Sequence, residues 1–481
     1  MHASTVCHAV GALLCCLAAS MAVPLGVGLW YGDAGVWPLF HSLWGTGLVG
    51  CLLMLGWRRG RDWSLNHREG IAIVALGWLV AGVAGGAPYV LAGICDWTDA
   101  VFESVSGFTT TGASILTDIE AVAPSLLFWR SFTHWLGGMG IIVLSLAVLP
   151  FLGVGGMQLY RAEVPGPTPD KLKPRIKDTA AVLWQVYLLL TVVQTALLCA
   201  GGMNLFDAST HTFATLATGG FSTRNASVGH YDSPFIQWTI VVFMFLAGAN
   251  FALHFKVLQG RPGALLRDAE FRFYAVLVGG ATLAVAAGLY GGHYADAESS
   301  LRAAAFQVVS ICTTTGFATA DYEMWPHLAQ GLLLFFMFLG GCAGSTGGGL
   351  KCMRVMVLLR LAHQELFRLV HPRAVRHLKL GGRTVPQDVV SGVVGFFVLY
   401  ISVFAGVGII LTALGIDVLT AFSATASCLG NVGPAFGSLG PTENYAHLPG
   451  LAKWLLSLCM LLGRLEIYTI LVLFLPEYWR R

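Results

Sequence analysis

Four short segments carry the oxygen-rich, glycine-containing pattern that can hold a desolvated cation. They read FESVSGFTTTGAS at 102–114, HTFATLATGGFST at 211–223, FQVVSICTTTGFA at 306–318 and FSATASCLGNVGPAFG at 422–437. Aligned on one glycine, they bring Gly112, Gly220, Gly316 and Gly433 into register. Just before these come Thr110 and Thr111, Thr218 and Gly219, Thr314 and Thr315, and Asn431 and Val432. A ring of backbone carbonyls, helped by threonine hydroxyls, replaces a cation's hydration shell when several loops converge. Glycine permits the backbone conformations that turn carbonyls inward. One TTTG would be an ordinary polar loop. Two copies and two variants, recurring about every hundred residues between apolar spans, are an internal repeat.

The elements that must position these loops lie in a membrane. Of the 481 residues 56% are hydrophobic and 11% charged, whereas soluble domains carry about 25% charged residues. Ten apolar spans fall at 7–31, 36–57, 70–93, 125–150, 177–201, 235–257, 270–292, 328–360, 387–414 and 450–475. Each approaches or exceeds the ~20 residues needed to cross a bilayer. The first is read as a retained helix, because its run is too long for a signal peptide and no basic segment precedes it. Irregular backbone at membrane depth is tolerated only where it is buried or lines a watery cavity. Four loops meeting around one axis satisfy that condition. The expected fold is an all-α polytopic membrane protein. Four pseudo-symmetric helix–pore half-helix–helix repeats surround one pore, and two N-terminal transmembrane helices are added. The boundaries are 1–60 for the N-terminal pair, then 61–160, 161–265, 266–375 and 376–481 for the repeats.

Charge gives the orientation. Most of the 28 basic residues cluster at 58–68, 161–177, 256–272 and 360–383, with Arg480 and Arg481 closing the chain. All fall on one side if every span crosses, and the positive-inside rule makes that side cytoplasmic, with both termini. The opposite loops are acidic, from Asp33, Asp96, Asp99 and Glu103 through to Asp417 and Glu443, against only Arg130, Arg224, Arg302 and Lys453. Such a field concentrates cations at an outer mouth. The 11 cysteines show neither a disulfide framework nor a metal-ligand spacing. A net charge of +3 gives no reason to expect a nucleic-acid partner.

The eighth span is interrupted by GGCAGSTGGG at 340–349. Each glycine costs a helix about 1 kcal/mol relative to alanine, so the helix should break in mid-membrane. The loop could lie across the conduction path with Gly344, Ser345, Thr346, Gly347, Gly348 and Gly349, and Lys351 and Arg354 anchor its cytosolic end. Arg464 sits inside the last span, where a basic residue is costly and faces a cavity or partner. Glu466 is too near in sequence to share its helix face. Arg130 and His134 share a helix face and are read as a polar contact between helices.

These segments, with WRSFTHWLGGMG at 129–140, GGCAGSTGGGLKCMR at 340–354 and GRLE at 463–466, resemble the TrkH/TrkG/KtrB superfamily of potassium transporters, its TrkH branch most closely. The resemblance spans essentially the whole chain. It implies potassium uptake without enzymatic chemistry, through a channel-like pore in the bacterial cytoplasmic (inner) membrane. The bound species is the potassium ion, with rubidium and sodium as lesser substrates. The implied selectivity filter is Thr110, Thr111, Gly112, Thr218, Gly219, Gly220, Thr314, Thr315, Gly316, Asn431, Val432 and Gly433. The implied gate is the glycine loop with Lys351 and Arg464. The resemblance also implies a homodimer and a cytosolic TrkA-like regulatory subunit with RCK domains. The basic segments 161–177 and 360–383 are candidate docking surfaces for that subunit, or for lipid headgroups. The loops are shorter and less equal than those of potassium channels, which implies a less strict preference over sodium. A cation-coupled secondary transporter is one alternative. An intramembrane hydrolase using Ser106 or Ser345 with His134 is another, and it leaves the fourfold pattern unexplained.

Overall fold

The computed structural model describes residues 2–57, 67–147, 176–374 and 377–480. The expected boundaries near 60 and 160, and the basic stretches 58–66 and 161–175, lie outside them. Among the described residues, six helices are long and apolar enough to cross a membrane, and eight if two bent pairs each count as one span. The remaining expected spans are Pro124–Ala147 and the span that contains the glycine loop.

Four half-helices descend between the long ones: Trp97–Phe108, Leu205–Leu216, Ala297–Cys312 and Val418–Gly430. Each starts on the acidic side with a side-chain cap. Asp96 accepts from the Asp99 amide, Asn204 from Asp207, Asp296 from Ser299 and Asp417 from Thr420. A capping carboxylate satisfies an orphan N–H and complements the positive end of the helix. Part of the acidity of this face therefore serves to start half-helices. Each half-helix is exposed in its first turn, largely buried beyond it, and ends at one of the four glycine segments, its negative end directed there.

Two of the helices that follow the half-helices depart from the simple expectation. The sixth span, expected whole over 235–257, is two helices, Pro234–Ala247 and Phe251–Leu258, bent by 103°. The tenth, expected over 450–475, is Gly450–Arg464 and Tyr468–Phe474, bent by 111°. The eighth breaks as foreseen, into His327–Phe336 and Cys352–Val370. The breaks at Gly248–Asn250 and Leu465–Ile467 have a tertiary cause. The Gly248 carbonyl receives the Cys342 amide at 2.8 Å and the Gly344 carbonyl receives the Phe251 amide at 3.1 Å. Glu466 takes a left-handed backbone (φ 61°) and pairs with Arg354.

The N-terminal pair, Ala3–Tyr31 and Val36–Gly56, packs through small residues. A Cβ on Gly11 would lie 2.8 Å from the Gly50 carbonyl oxygen, the close backbone approach typical of helices in lipid. Asp33 ties this pair to the first repeat by accepting from the Ser125 amide (2.8 Å) and hydroxyl (2.7 Å). Trp30, Trp37, Trp44, Leu48 and Leu52 face outward as an apolar surface suited to lipid.

The caps make a pH prediction. The Asp417 carboxyl is held below the ordinary 3.8 by the Thr420 hydroxyl and amide, and the Asp296 carboxyl by Ser299. A depressed carboxyl stabilises fully above its unfolded value and loses that contribution as pH falls through the folded one. Thermal unfolding in detergent should thus be insensitive to these caps between neutrality and about pH 5 and weaken below 3.8. Asp417→Ala should cost about 1 kcal/mol at neutral pH and abolish its share of the acid sensitivity.

Candidate cation site and gate

The four glycine segments share one backbone conformation. Thr110, Thr218, Thr314 and Asn431 have φ of 53°, 56°, 61° and 57°, and Gly112, Gly220, Gly316 and Gly433 have φ of 84°, 80°, 80° and 104°. A left-handed β-branched residue is strained and persists only where its surroundings enforce it. Here the ends of the half-helices enforce it. The Thr111 amide reaches back to the Ser106 carbonyl (2.9 Å), Gly219 to Ala214, Thr315 to Ser310 and Val432 to Ser427 (each 2.8 Å). These are helix-terminating bonds of the Schellman type.

The segments close on one another in chain order. A Cβ on Gly112 would overlap the Gly219 carbonyl oxygen, one on Gly220 that of Thr315, and one on Gly316 that of Val432. A Cβ on Gly433 would lie 2.6 Å from the Thr111 carbonyl oxygen, which closes the circle. A fourfold ring of bare backbone results, too tight for any side chain at the glycine level. On the acidic side it opens into a cavity of about 130 Å³ lined by all four glycines together with Arg130, Arg224 and Glu443.

The TTTG pattern divides its labour. The first threonine braces the third: Thr109 Oγ1 lies 2.8 Å from Thr111 Oγ1, and Thr313 Oγ1 lies 2.7 Å from Thr315 Oγ1. Each bracing hydroxyl also donates to the carbonyl four residues back, Val105 or Val309, at 2.7 Å. The second threonine, left-handed, is held by none of these bonds. In the second segment Ala217 and Gly219 lack the bracing pair, and the His134 ring fills the space instead, since a Cβ on Gly219 would overlap it. In the fourth, Val432 replaces the third threonine without its hydroxyl, and Asn431 Nδ2 bonds Thr111 Oγ1 at 3.0 Å.

Behind the ring, Arg130 and His134 tie the first repeat to the second. Arg130 pairs with buried Glu103 at 2.6 Å, donates to the Ser222 carbonyl at 2.9 Å and stacks 3.5 Å from the Phe221 ring centre. Glu103 also accepts the Ile115 amide at 2.8 Å. His134 Nδ1 donates to the Gly107 carbonyl (2.7 Å) and Nε2 accepts the Phe221 amide (3.3 Å). Both ring nitrogens are thereby occupied, and the Ser345 hydroxyl donates to Cys342, so the sketched dyad of His134 with Ser106 or Ser345 does not form. Outside the ring, burial would raise the Asp207 carboxyl, but bonds from Thr223 and Arg224 outweigh it and hold it low.

The glycine loop sits directly beneath the ring. Its ends are zipped together, with the Gly340 amide on the Leu350 carbonyl (2.8 Å) and the Cys352 amide on Gly341 (3.1 Å). The Gly348 amide donates to Thr314 Oγ1 at 2.7 Å, and Thr346 Oγ1 donates to the Leu216 carbonyl at 2.8 Å. A Cβ on Gly348 would lie 2.8 Å from Asn431 Oδ1. Lys351 bonds the Gly347 carbonyl from below. Arg464, 2% exposed, donates to the Thr346 carbonyl at 2.6 Å and to Gly137 at 3.3 Å. Among the described residues no carboxylate lies within ion-pair distance of it. Glu466 instead holds Arg354, which stacks on Phe396. Gly344, Ser345 and Gly349 complete the loop on the side of Asn250 and Leu339.

Two residues here escaped the sequence reading. Glu103 was counted only as an outer acid, although an acid inside an apolar half-helix implies a buried partner. Glu270, 4% exposed, accepts the amides of Ala343 (2.7 Å) and Met353 (2.9 Å) and so clamps both ends of the glycine loop. Its signal was a carboxylate at the head of an apolar span.

A family model described as TrkH, cation transport protein, matches residues 48–481. The Trk system potassium uptake protein TrkH of Salmonella typhimurium is 44% identical, with 100% of both chains covered. TrkG of Escherichia coli is 34% identical over 100% of this chain and 99% of its own. The crystal structure of the potassium transporter TrkH from Vibrio parahaemolyticus superposes with a TM-score of 0.92 at 40% identity, covering 100% of both chains.

Arg130→Met strips Glu103 of its partner and should destabilise the protein by about 3–5 kcal/mol, whereas the double variant with Glu103→Gln should recover much of that loss. Thermal unfolding in detergent reads the difference. Equal losses in both variants would mean that the charge pair is not the brace.

Proposed function

The chain belongs to the TrkH cation transport family, and on that premise we propose that it takes up potassium through the ring of its four glycine segments. The observation that carries this reading is the cyclic order in which Gly112, Gly220, Gly316 and Gly433 each abut the next segment's backbone. Carbonyls in such a ring can replace the hydration shell of potassium. Four equivalent units around one path suit a channel-like pore better than rocking between two halves.

In this reading the filter is Thr110–Gly112, Thr218–Gly220, Thr314–Gly316 and Asn431–Gly433. Each belongs to one of the repeats bounded at 61–160, 161–265, 266–375 and 376–481. The loop from Gly344 to Gly349 is the gate, with Lys351 fastening its lower end. Arg464, buried with no carboxylate within ion-pair distance among the described residues, is the electrostatic barrier beneath the filter. The acidic side faces outward and both termini lie in the bacterial cytoplasm. A homodimer and a TrkA-like RCK subunit bound from the cytosol complete the system. The helix Cys352–Val370 exposes Leu359, Leu366 and Leu369 beside Arg360 and Arg368, and suits that docking role.

Expression in cells lacking potassium uptake tests the reading through growth at low potassium and rubidium uptake. Wild type should rescue, and Gly316→Ser should express yet lose uptake or potassium preference, because its Cβ has no room beside Val432. Arg464→Ala should raise basal flux at least severalfold. No rescue, with or without a co-expressed regulatory subunit, would overturn potassium as the substrate. Unchanged flux in a well-expressed Arg464→Ala variant would remove the barrier role.

A further inference from the structure

Four polar side chains stand two residues before the ring glycines. Thr110, Thr218, Thr314 and Asn431 occupy the same left-handed position in the four segments, all 0% exposed. Two of them, Thr314 and Asn431, adjoin the glycine loop at Gly348, and Asn431 is held from behind by its Nδ2 bonds to Thr111 Oγ1 and the Met460 carbonyl. Two of the four side-chain oxygens, Thr110 Oγ1 and Asn431 Oδ1, are buried with no hydrogen-bond partner among the described residues. Thr218 Oγ1 bonds only the neighbouring Ala217 carbonyl (2.6 Å). The fourth, Thr314 Oγ1, accepts the amide of Gly348 from the loop. A buried, unpaired oxygen is costly in a native structure, and a ligand that satisfies several at once explains why they are kept.

We propose that these four oxygens form a regulatory site for the permeant monovalent cation, and that the cation and the Gly348 amide compete for Thr314. The idea rests on the filter reading above and adds a coupling to it. An amide N–H directs its positive end at the hydroxyl lone pairs, where a cation needs those same lone pairs. Gly348 also lies against Asn431 Oδ1, so the closed loop crowds two of the four ligands. A cation seated there repels the amide and lacks room beside it, which favours release of the loop. By reciprocity, loop closure lowers the cation's affinity by the same factor. Other ties of the loop, among them Thr346 to Leu216, Arg464 to Thr346 and Cys342 to Gly248, do not involve the site, so the cation biases the gate without being its sole control.

The test is the single-channel open-to-closed ratio of the reconstituted protein over a range of symmetrical potassium concentrations at constant ionic strength. In wild type the ratio should rise with potassium. Thr314→Val removes both the loop bond and one ligand in an isosteric side chain. It should raise the ratio at low potassium by roughly three- to tenfold, the worth of one hydrogen bond, and flatten its dependence. Thr314→Ser keeps the hydroxyl and should restore the wild-type dependence. Thr110→Val leaves the loop bond and should shift the dependence to higher potassium. A ratio independent of potassium in wild type, or a Thr314→Val variant with the wild-type dependence, would overturn the competition. Conductance and reversal potential, recorded on the same channels, separate the two ideas. Altered conductance with unchanged potassium dependence sinks only the coupling. If neither conductance nor selectivity moves in either valine variant, the filter reading fails with it.

Discussion

Everything in this chain answers to one steric demand: four stretches of backbone must touch each other where no side chain fits. Gly112, Gly220, Gly316 and Gly433 each lie against the carbonyl of the next segment. The long helices hold the half-helices at the correct depth, and the half-helices end in bonds that force the strained conformation on Thr110 and its equivalents. Strain of this kind survives only when the surroundings over-determine it. Behind the first two segments, the Arg130–Glu103 pair and the fully bonded His134 supply that excess of constraint.

The symmetry is one of backbone more than of side chains. The first and third segments brace themselves with threonine pairs. The second borrows the ring of His134, and the fourth lends its own amide to Thr111. A ring can thus stay regular where carbonyls matter while its outer supports diverge, because each support needs only to fill a given space and satisfy a given donor.

Much of this was legible in the sequence because its causes are local. Glycine where φ must be positive, threonine at a helix end, and six glycines within an apolar span each leave a mark at the place where they act. The ten apolar spans and the four repeats followed from the same kind of signal. What stayed hidden is tertiary. The bend at Leu465–Ile467 carries no helix breaker and exists because Glu466 meets Arg354 across more than a hundred residues of chain. The break at Gly248–Asn250 shows one glycine, yet its carbonyl is needed by Cys342. Glu270 and Glu103 look like ordinary acids until the amides and the guanidinium they hold come into view.

The glycine loop is fastened to two broken helices through Gly248 and Arg464, to the unbroken helix Ala269–Leu289 through Glu270, and to the ring itself through Thr314. Such a loop has no halfway position. Releasing one tie leaves the others holding it under the ring, and a partly detached loop would bury amides and carbonyls without partners in an apolar surround. If the loop is the gate proposed above, its movement is therefore concerted, and the current through the pore should switch between discrete levels instead of grading smoothly. The enthalpy of the tied state is lost in a single step, so warming should act on the frequency of opening far more than on the size of the open current.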